Sequence, residues 1–160
     1  MSPDELGRRV WELRGPLMRL ACAIVRRQQD AEDAVSEAVV RAFESLPALH
    51  CDAAVRPWLM KITARCCYDR LRHLRRETPC EDPEPLCAPV EPHGDGTLAD
   101  LIAQLPAGQR EAITLYYYEG FSAQEVAQAL GVPRPTACMR LSRGRKRLRW
   151  LIETEGRKEP

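Results

Sequence analysis

The chain has 160 residues, a formal net charge of +1 from 24 Lys and Arg against 23 Asp and Glu, and 44% hydrophobic residues. That length holds one domain or two small ones. The near-balance of charge gives no global reason to expect a polyanionic partner, so any such partner must be read from where the charges lie. No apolar run approaches the roughly 20 residues that cross a bilayer, and the opening MSPDELGRRVWELRG lacks the apolar stretch of a secretory leader. These features predict a cytoplasmic protein with no direct membrane insertion.

The seven cysteines are Cys22, Cys51, Cys66, Cys67, Cys80, Cys87 and Cys138. An odd number without a leader points to reduced thiols rather than a disulfide framework. Cys22 and Cys66 sit among apolar residues at helical spacing and read as small core residues. There is no C-x-x-C pair, and Cys80, Cys87 and His93 match no common zinc spacing, so no metal or other cofactor is expected.

The pattern predicts an all-α fold of two small helical domains, spanning 1–76 and 98–156, with a flexible Pro/acid-rich linker at 77–97. The segment ETPCEDPEPLCAPVEPHGDG has no Lys or Arg and cannot bury a core. In the first domain a helix is predicted from about Ala31 to Ser45, with Ala31, Ala34, Val35, Ala38, Val39, Ala42 and Phe43 forming an apolar stripe. Asp30 is the predicted N-cap, and Glu32 and Asp33 suit the positive end of the helix dipole. Asp33 and Glu37, four residues apart, share a face that spacing alone reads as solvated surface in preference to a contact.

After the loop LPALHCDAAVRP comes a second helix, WLMKITARCCYDRLRHLRRE. Leu59, Ile62, Cys66, Leu71 and Leu74 are its predicted inner residues. Lys61, Arg65, Arg72 and Arg76 fall close to whole helical turns apart, so they align on one outer face. With Trp58 near the start, this ridge offers cations for phosphates and a flat ring for unstacked bases. The alternative is a core Trp and a solvated ridge.

The third part carries the strongest signal. Ser122 and Glu125 form a capping box before AQEVAQAL, Gly131 closes that helix, and Pro135 fits the first turn of the next. Two helices joined by a short Gly-containing turn form a helix-turn-helix pattern. The second helix carries Arg134, Arg140, Arg143, Arg145, Lys146, Arg147 and Arg149 with no acid among them, a charge density that repels itself unless a polyanion is near. Thr136, Arg140, Arg143 and Arg147 share its outer face, while Ala137, Leu141, Leu148 and Leu151 or Ile152 turn inward. Early residues of such a helix enter the major groove and later cations meet phosphates. No phosphate loop, H-E-x-x-H or nucleophile–base pair suggests an enzyme.

Three segments in this order resemble the extracytoplasmic-function (ECF) sigma factors of the sigma-70 superfamily: DAEDAVSEAVVRAFESLP, VRPWLMKITARCCYDRLRHLRRE and LPAGQREAITLYYYEGFSAQEVAQALGVPRPTACMRLSRGRKRL. The resemblance covers nearly the whole chain. It implies a non-enzymatic subunit that binds core RNA polymerase and directs it to promoter DNA. It assigns Asp30, Glu32, Asp33 and Glu37 to the polymerase clamp, and Trp58, Lys61, Arg65, Arg72 and Arg76 to the −10 element. It places capture of a flipped −10 base in the loop Leu49–Ala54, with His50 and Asp52 as candidates. It assigns Arg134, Thr136 and Arg140 to base or groove contacts at −35, and Arg143, Arg145, Lys146 and Arg147 to its phosphates. An anti-sigma factor is a further implied partner. Cys138 departs from a frequent Lys or Arg, Pro135 from a frequent Gly, and Gly144 is expected to cost the helix up to ~1 kcal/mol relative to Ala. The contrasting readings are a polymerase-independent helix-turn-helix regulator and a thiol- or metal-responsive switch on the linker cysteines.

Overall fold

The computed structural model describes residues 1–77 and 98–156, and among these every regular element is helical. Residues 78–97 of the predicted linker, with Cys80, Cys87 and His93, lie outside the described residues, whereas Glu77 is still helical. Helix α1 spans Pro3–Val25, α2 Gln28–Glu44 and α3 Val55–Glu77, with single 3₁₀ turns at Leu46–Ala48 and Asp52–Ala54 between α2 and α3. Helix α4 spans Leu98–Ala103, α5 Ala107–Ile113, α6 Ala123–Leu130 and α7 Arg134–Gly156.

Local chemistry explains where the helices begin. Ser2 and Glu5 cap α1 reciprocally, with Pro3 in its first turn. Helix α2 begins three residues before the predicted Ala31. Arg27 occupies the N-cap with no side-chain hydrogen bond, so Asp30 is not the cap but lies inside the first turn. The inward seam of α2 is narrower than predicted: Ala31, Ala34, Ala38 and Ala42 are buried, whereas Phe43 is 39% exposed. Small side chains along that seam let α2 lie close to its neighbours.

Helix α3 is the central element. It packs against α1 and α2 on one side and against α6 on the other. Its buried set therefore exceeds the predicted stripe: Leu59, Met60, Thr63, Ala64, Cys66 and Cys67 are all buried. Ile62, Leu71 and the half-buried Trp58 pack at the edge of the same core.

In the second half, the predicted long helix after Pro106 is α5 continued by a π-helical turn over Thr114–Tyr118. Gly120 follows at φ 68°. Ser122 and Glu125 form the expected capping box on α6, and Gly131 ends it in the left-handed region at φ 67°, ψ 34°. Ala137, Leu141, Leu148 and Leu151 of α7 are buried, while Ile152 is exposed.

Gly144 has a role its helix propensity does not reveal. A Cβ built there would lie 2.7 Å from Ile113 Cγ1 and 3.1 Å from Cδ1, and Ile113 is itself fully buried. The absent side chain lets α7 seat on α5. The propensity gain of up to ~1 kcal/mol is thus opposed by overpacking that typically costs about 1–3 kcal/mol. Gly144→Ala is expected to lower the urea midpoint; a higher one would mean the contact relaxes without strain.

Candidate nucleic-acid interface

The four predicted acids of α2 divide into two kinds. Asp30 is buried and receives Arg70 of α3, with Nη2 at 3.2 Å from Oδ1. The same Nη2 donates to Asp33 Oδ2 at 3.0 Å. These two carboxylates tie α2 to α3. Glu32 and Glu37 are exposed; Glu32 accepts a hydrogen bond from Gln28 at 3.1 Å, and Glu37 pairs with Arg41. Removing Asp30 leaves Arg70 short of a partner in a part-buried site, so Asp30→Ala is expected to cost about 1–3 kcal/mol. Glu32→Ala is expected to fall within ~0.5 kcal/mol of wild type. Chemical denaturation of both variants makes the comparison.

On α3, Lys61, Arg65 and Arg72 are exposed, as the helical spacing requires. Arg72 pairs with Asp69. Partial burial works against ionisation of Asp69, but hydrogen bonds from Arg41 and Arg72 hold its carboxyl below the usual range. Trp58 is half-buried at the head of this ridge, so its ring is partly core and partly surface. The side chain of Arg76 lies outside the described residues. His50 and Asp52 are exposed in the preceding loop, and Asp52 Oδ1 stands 3.5 Å from the N-terminal amine.

On α7, Arg134, Arg143, Lys146 and Arg147 are exposed, while Thr136 and Arg140 are half-buried. Arg145 is engaged by the π-helical turn. Its Nε donates to Tyr117 Oη at 2.9 Å, and its guanidinium lies 4.9 Å from the Tyr116 ring centre. Arg147 stacks over Trp150 at 4.6 Å. Arg140 folds toward α5, where a Cβ on Gly108 would meet its Nε at 3.0 Å. Both outer faces are therefore basic, and they belong to different helices of different halves of the chain.

A polar contact between those halves had no signal in the sequence. Tyr68 of α3 donates its hydroxyl to Glu111 Oε2 of α5 at 2.5 Å. Burial pushes the Glu111 carboxyl up from its usual range, opposed by the Tyr68 hydrogen bond and by the charges of Arg110 and Arg140. A raised carboxylate pKa in the folded state means that folding disfavours the charged form. Stability from this group is full at low pH and declines as pH rises from the unfolded pKa through the folded one. At pH 7 Glu111→Gln, which keeps an acceptor for Tyr68, is expected to be as stable as wild type or more so, with the advantage vanishing on acidification. Thermal unfolding at pH 7 and pH 4 measures both parts.

With this geometry in place, the comparisons with known proteins are decisive. The family model described as Sigma-70 region 2 matches residues 10–77, and that described as Sigma-70, region 4 matches residues 96–148. The ECF RNA polymerase sigma factor SigM of Mycobacterium tuberculosis is 34% identical over 141 residues, covering 85% of this chain and 71% of the relative. The chain belongs to the ECF sigma factors of the sigma-70 family. The RNA polymerase sigma factor SigV of Bacillus subtilis is 30% identical over 140 residues, covering 86% of this chain and 84% of that one. Among solved structures, the sigma factor RpoE in complex with the anti-sigma factor NepR from Bartonella quintana superposes with a TM-score of 0.76 at 25% identity. The match covers 93% of this chain and 97% of that one. CnrH in complex with the cytosolic domain of CnrY shares the fold, with a TM-score of 0.68 at 24% identity, covering 96% of this chain and 90% of that one. This sigma factor acts in promoter-directed transcription initiation, in a family of regulatory, non-enzymatic proteins. Among the described residues no helix is long and apolar enough to cross a membrane.

Proposed function

We propose that the N-terminal unit, residues 1–76, docks on core RNA polymerase and contacts the −10 element, and that the C-terminal unit, residues 98–156, reads the −35 element. The observation that carries this reading is the pair of outward basic faces, on α3 and on α7, set in separate helical units in the order region 2 then region 4. Lys61, Arg65, Arg72 and Arg76 neutralise phosphates near −10, and the exposed part of Trp58 offers a stacking surface. Arg134, Thr136 and Arg140 enter the −35 major groove; Arg143, Lys146 and Arg147 follow the backbone, with Arg145 oriented by the tyrosines.

The polymerase contact draws on Glu32 and Glu37, the exposed acids of α2, more than on Asp30 and Asp33, whose carboxylates are engaged by Arg70. An anti-sigma factor is a fitting partner, because RpoE was solved with NepR. The protein works in the cytoplasm, where core polymerase and promoters are.

Run-off transcription with core enzyme tests the function directly. Promoter-specific transcripts that need both components are expected. Specific −35 binding without any polymerase-dependent transcript would instead make this an ordinary helix-turn-helix regulator. Charge reversal of Glu32 and Glu37 to Lys is expected to weaken core binding at unchanged helicity. On −35 duplexes with single-base changes, Arg140→Ala should lose discrimination at one or two positions, at a cost of ~1–3 kcal/mol. Arg147→Ala should weaken all sequences alike and flatten the salt dependence by about one unit. Uniform loss in both variants would move the recognition face elsewhere on α7.

A further inference from the structure

Helices α5 and α7 approach each other at two glycines, one on each helix. Gly144 of α7 faces the buried Ile113 of α5. One helical turn earlier on α7, Arg140 faces Gly108 of α5. A Cβ built on Gly108 would lie 3.0 Å from Arg140 Nε, 3.2 Å from Cζ and 3.4 Å from Cδ. The two contacts differ in kind. Ile113 is fixed in the core, whereas the outer atoms of Arg140 belong to a long, half-buried side chain that can swing out. Packing therefore accounts for the glycine at 144 but not for the one at 108. Gly108 lies in the first turn of α5 and is not in the left-handed region that Gly120 and Gly131 occupy. Ala is the better helix former, so stability alone favours Ala at this position.

What the missing side chain provides is a place for Arg140. Its Cδ, Nε and Cζ lie across the bare face of the first turn of α5, confined by shape. Arg145 is held differently, by a hydrogen bond to Tyr117 at 2.9 Å. No hydrogen bond or ion pair to a described residue engages the Arg140 guanidinium, so its N–H donors stay available. Glu111 lies three residues beyond Gly108 on the same side of α5. Burial pushes the Glu111 carboxyl up, and the Tyr68 hydrogen bond and the charges of Arg110 and Arg140 oppose that push, so Arg140 is near enough to act on it. A guanidinium confined by shape, with its donors unused, suits a bidentate contact to guanine, which depends on geometry. A side chain ordered beforehand also gives up less rotamer freedom on binding.

We propose that Gly108 is a specificity-determining positioning residue: acting through Arg140, it seats the guanidinium in the orientation from which one guanine edge of the −35 element is read. This rests on the reading of α7 as the −35 helix with Arg140 in the groove.

The experiment compares full-length wild type, Gly108→Ala, Gly108→Gln, Arg140→Ala and the two double variants, each assembled with core polymerase, on promoter duplexes carrying single-base changes at −35. A Cβ at 108 requires Arg140 to give by a few tenths of an ångström, and a longer side chain requires it to leave. Gly108→Ala is therefore expected to lose part of the discrimination that Arg140→Ala loses, at the same position or positions. Gly108→Gln is expected to lose most of it, about tenfold. Discrimination at the other −35 positions stays at the wild-type level, and thermal stability is no lower. With Arg140→Ala already present, neither Gly108 substitution should change anything further. A merely structural role would instead move stability, or all sequences alike. In the free full-length chain the Nε–H resonance of Arg140, assigned by its absence from Arg140→Ala, should shift in both Gly108 variants. Wild-type discrimination in Gly108→Gln, or an effect that persists without Arg140, overturns the seat and leaves the −35 reading intact. If Arg140→Ala itself discriminates as wild type does, the groove assignment of Arg140 fails and the proposal fails with it.

Discussion

The structure depends on one constraint: α3 is buried on two sides. One side meets α1 and α2, where Leu59, Cys66 and the alanine seam of α2 make an apolar contact; the other meets α6. A helix enclosed in this way contributes to a core that runs through both halves of the chain and leaves only a strip for solvent. Lys61, Arg65 and Arg72 occupy that strip. The burial that stabilises α3 thus also sets the direction of its charges, so the basic ridge is held by packing rather than by the side chains' own preferences.

Charge in this protein is sorted by location, which a net value of +1 conceals. Several acids are drawn inward or onto neighbours: Asp30 and Asp33 to Arg70, Glu111 to Tyr68, Glu119 to Arg19 and Arg56. Most cations of α7 project outward, without an acid on its first four turns, while Arg140 folds toward α5. Even there they differ. Arg145 is oriented by two tyrosines and Arg147 by Trp150, whereas Arg143 and Lys146 lie exposed. Stacking on a ring restricts the rotamers of a long side chain, so these two arginines are partly ordered by the protein itself.

The glycines of the C-terminal unit show how one residue type answers different needs. Gly131 adopts a left-handed conformation that lets α6 end and the chain turn into α7. Gly144 has ordinary helical surroundings in sequence, yet it faces Ile113 of α5 so closely that a Cβ there would clash. Read from sequence as a weak helix position, it is in space a site that allows α7 to seat on α5.

Local chemistry was legible in the sequence. The Ser122–Glu125 capping box, the Gly131 stop, the inward residues Ala137, Leu141 and Leu148, and the outward cations all follow from spacing of 3.6 residues per turn and from the needs of helix ends. These signals lie within a few residues of one another, so a linear reading captures them. The sequence also carried the resemblance of its three segments to sigma factors. Other features needed the folded chain. That Asp30 serves Arg70 rather than a helix end, that Trp58 is half core, that α3 buries Thr63 and Cys67, and that Glu119 is clasped by Arg19 and Arg56 all depend on pairs 40 to 100 residues apart or on faces chosen by a partner helix. Periodicity states which residues share a face, but only tertiary packing decides how many of a helix's faces are covered, and by what.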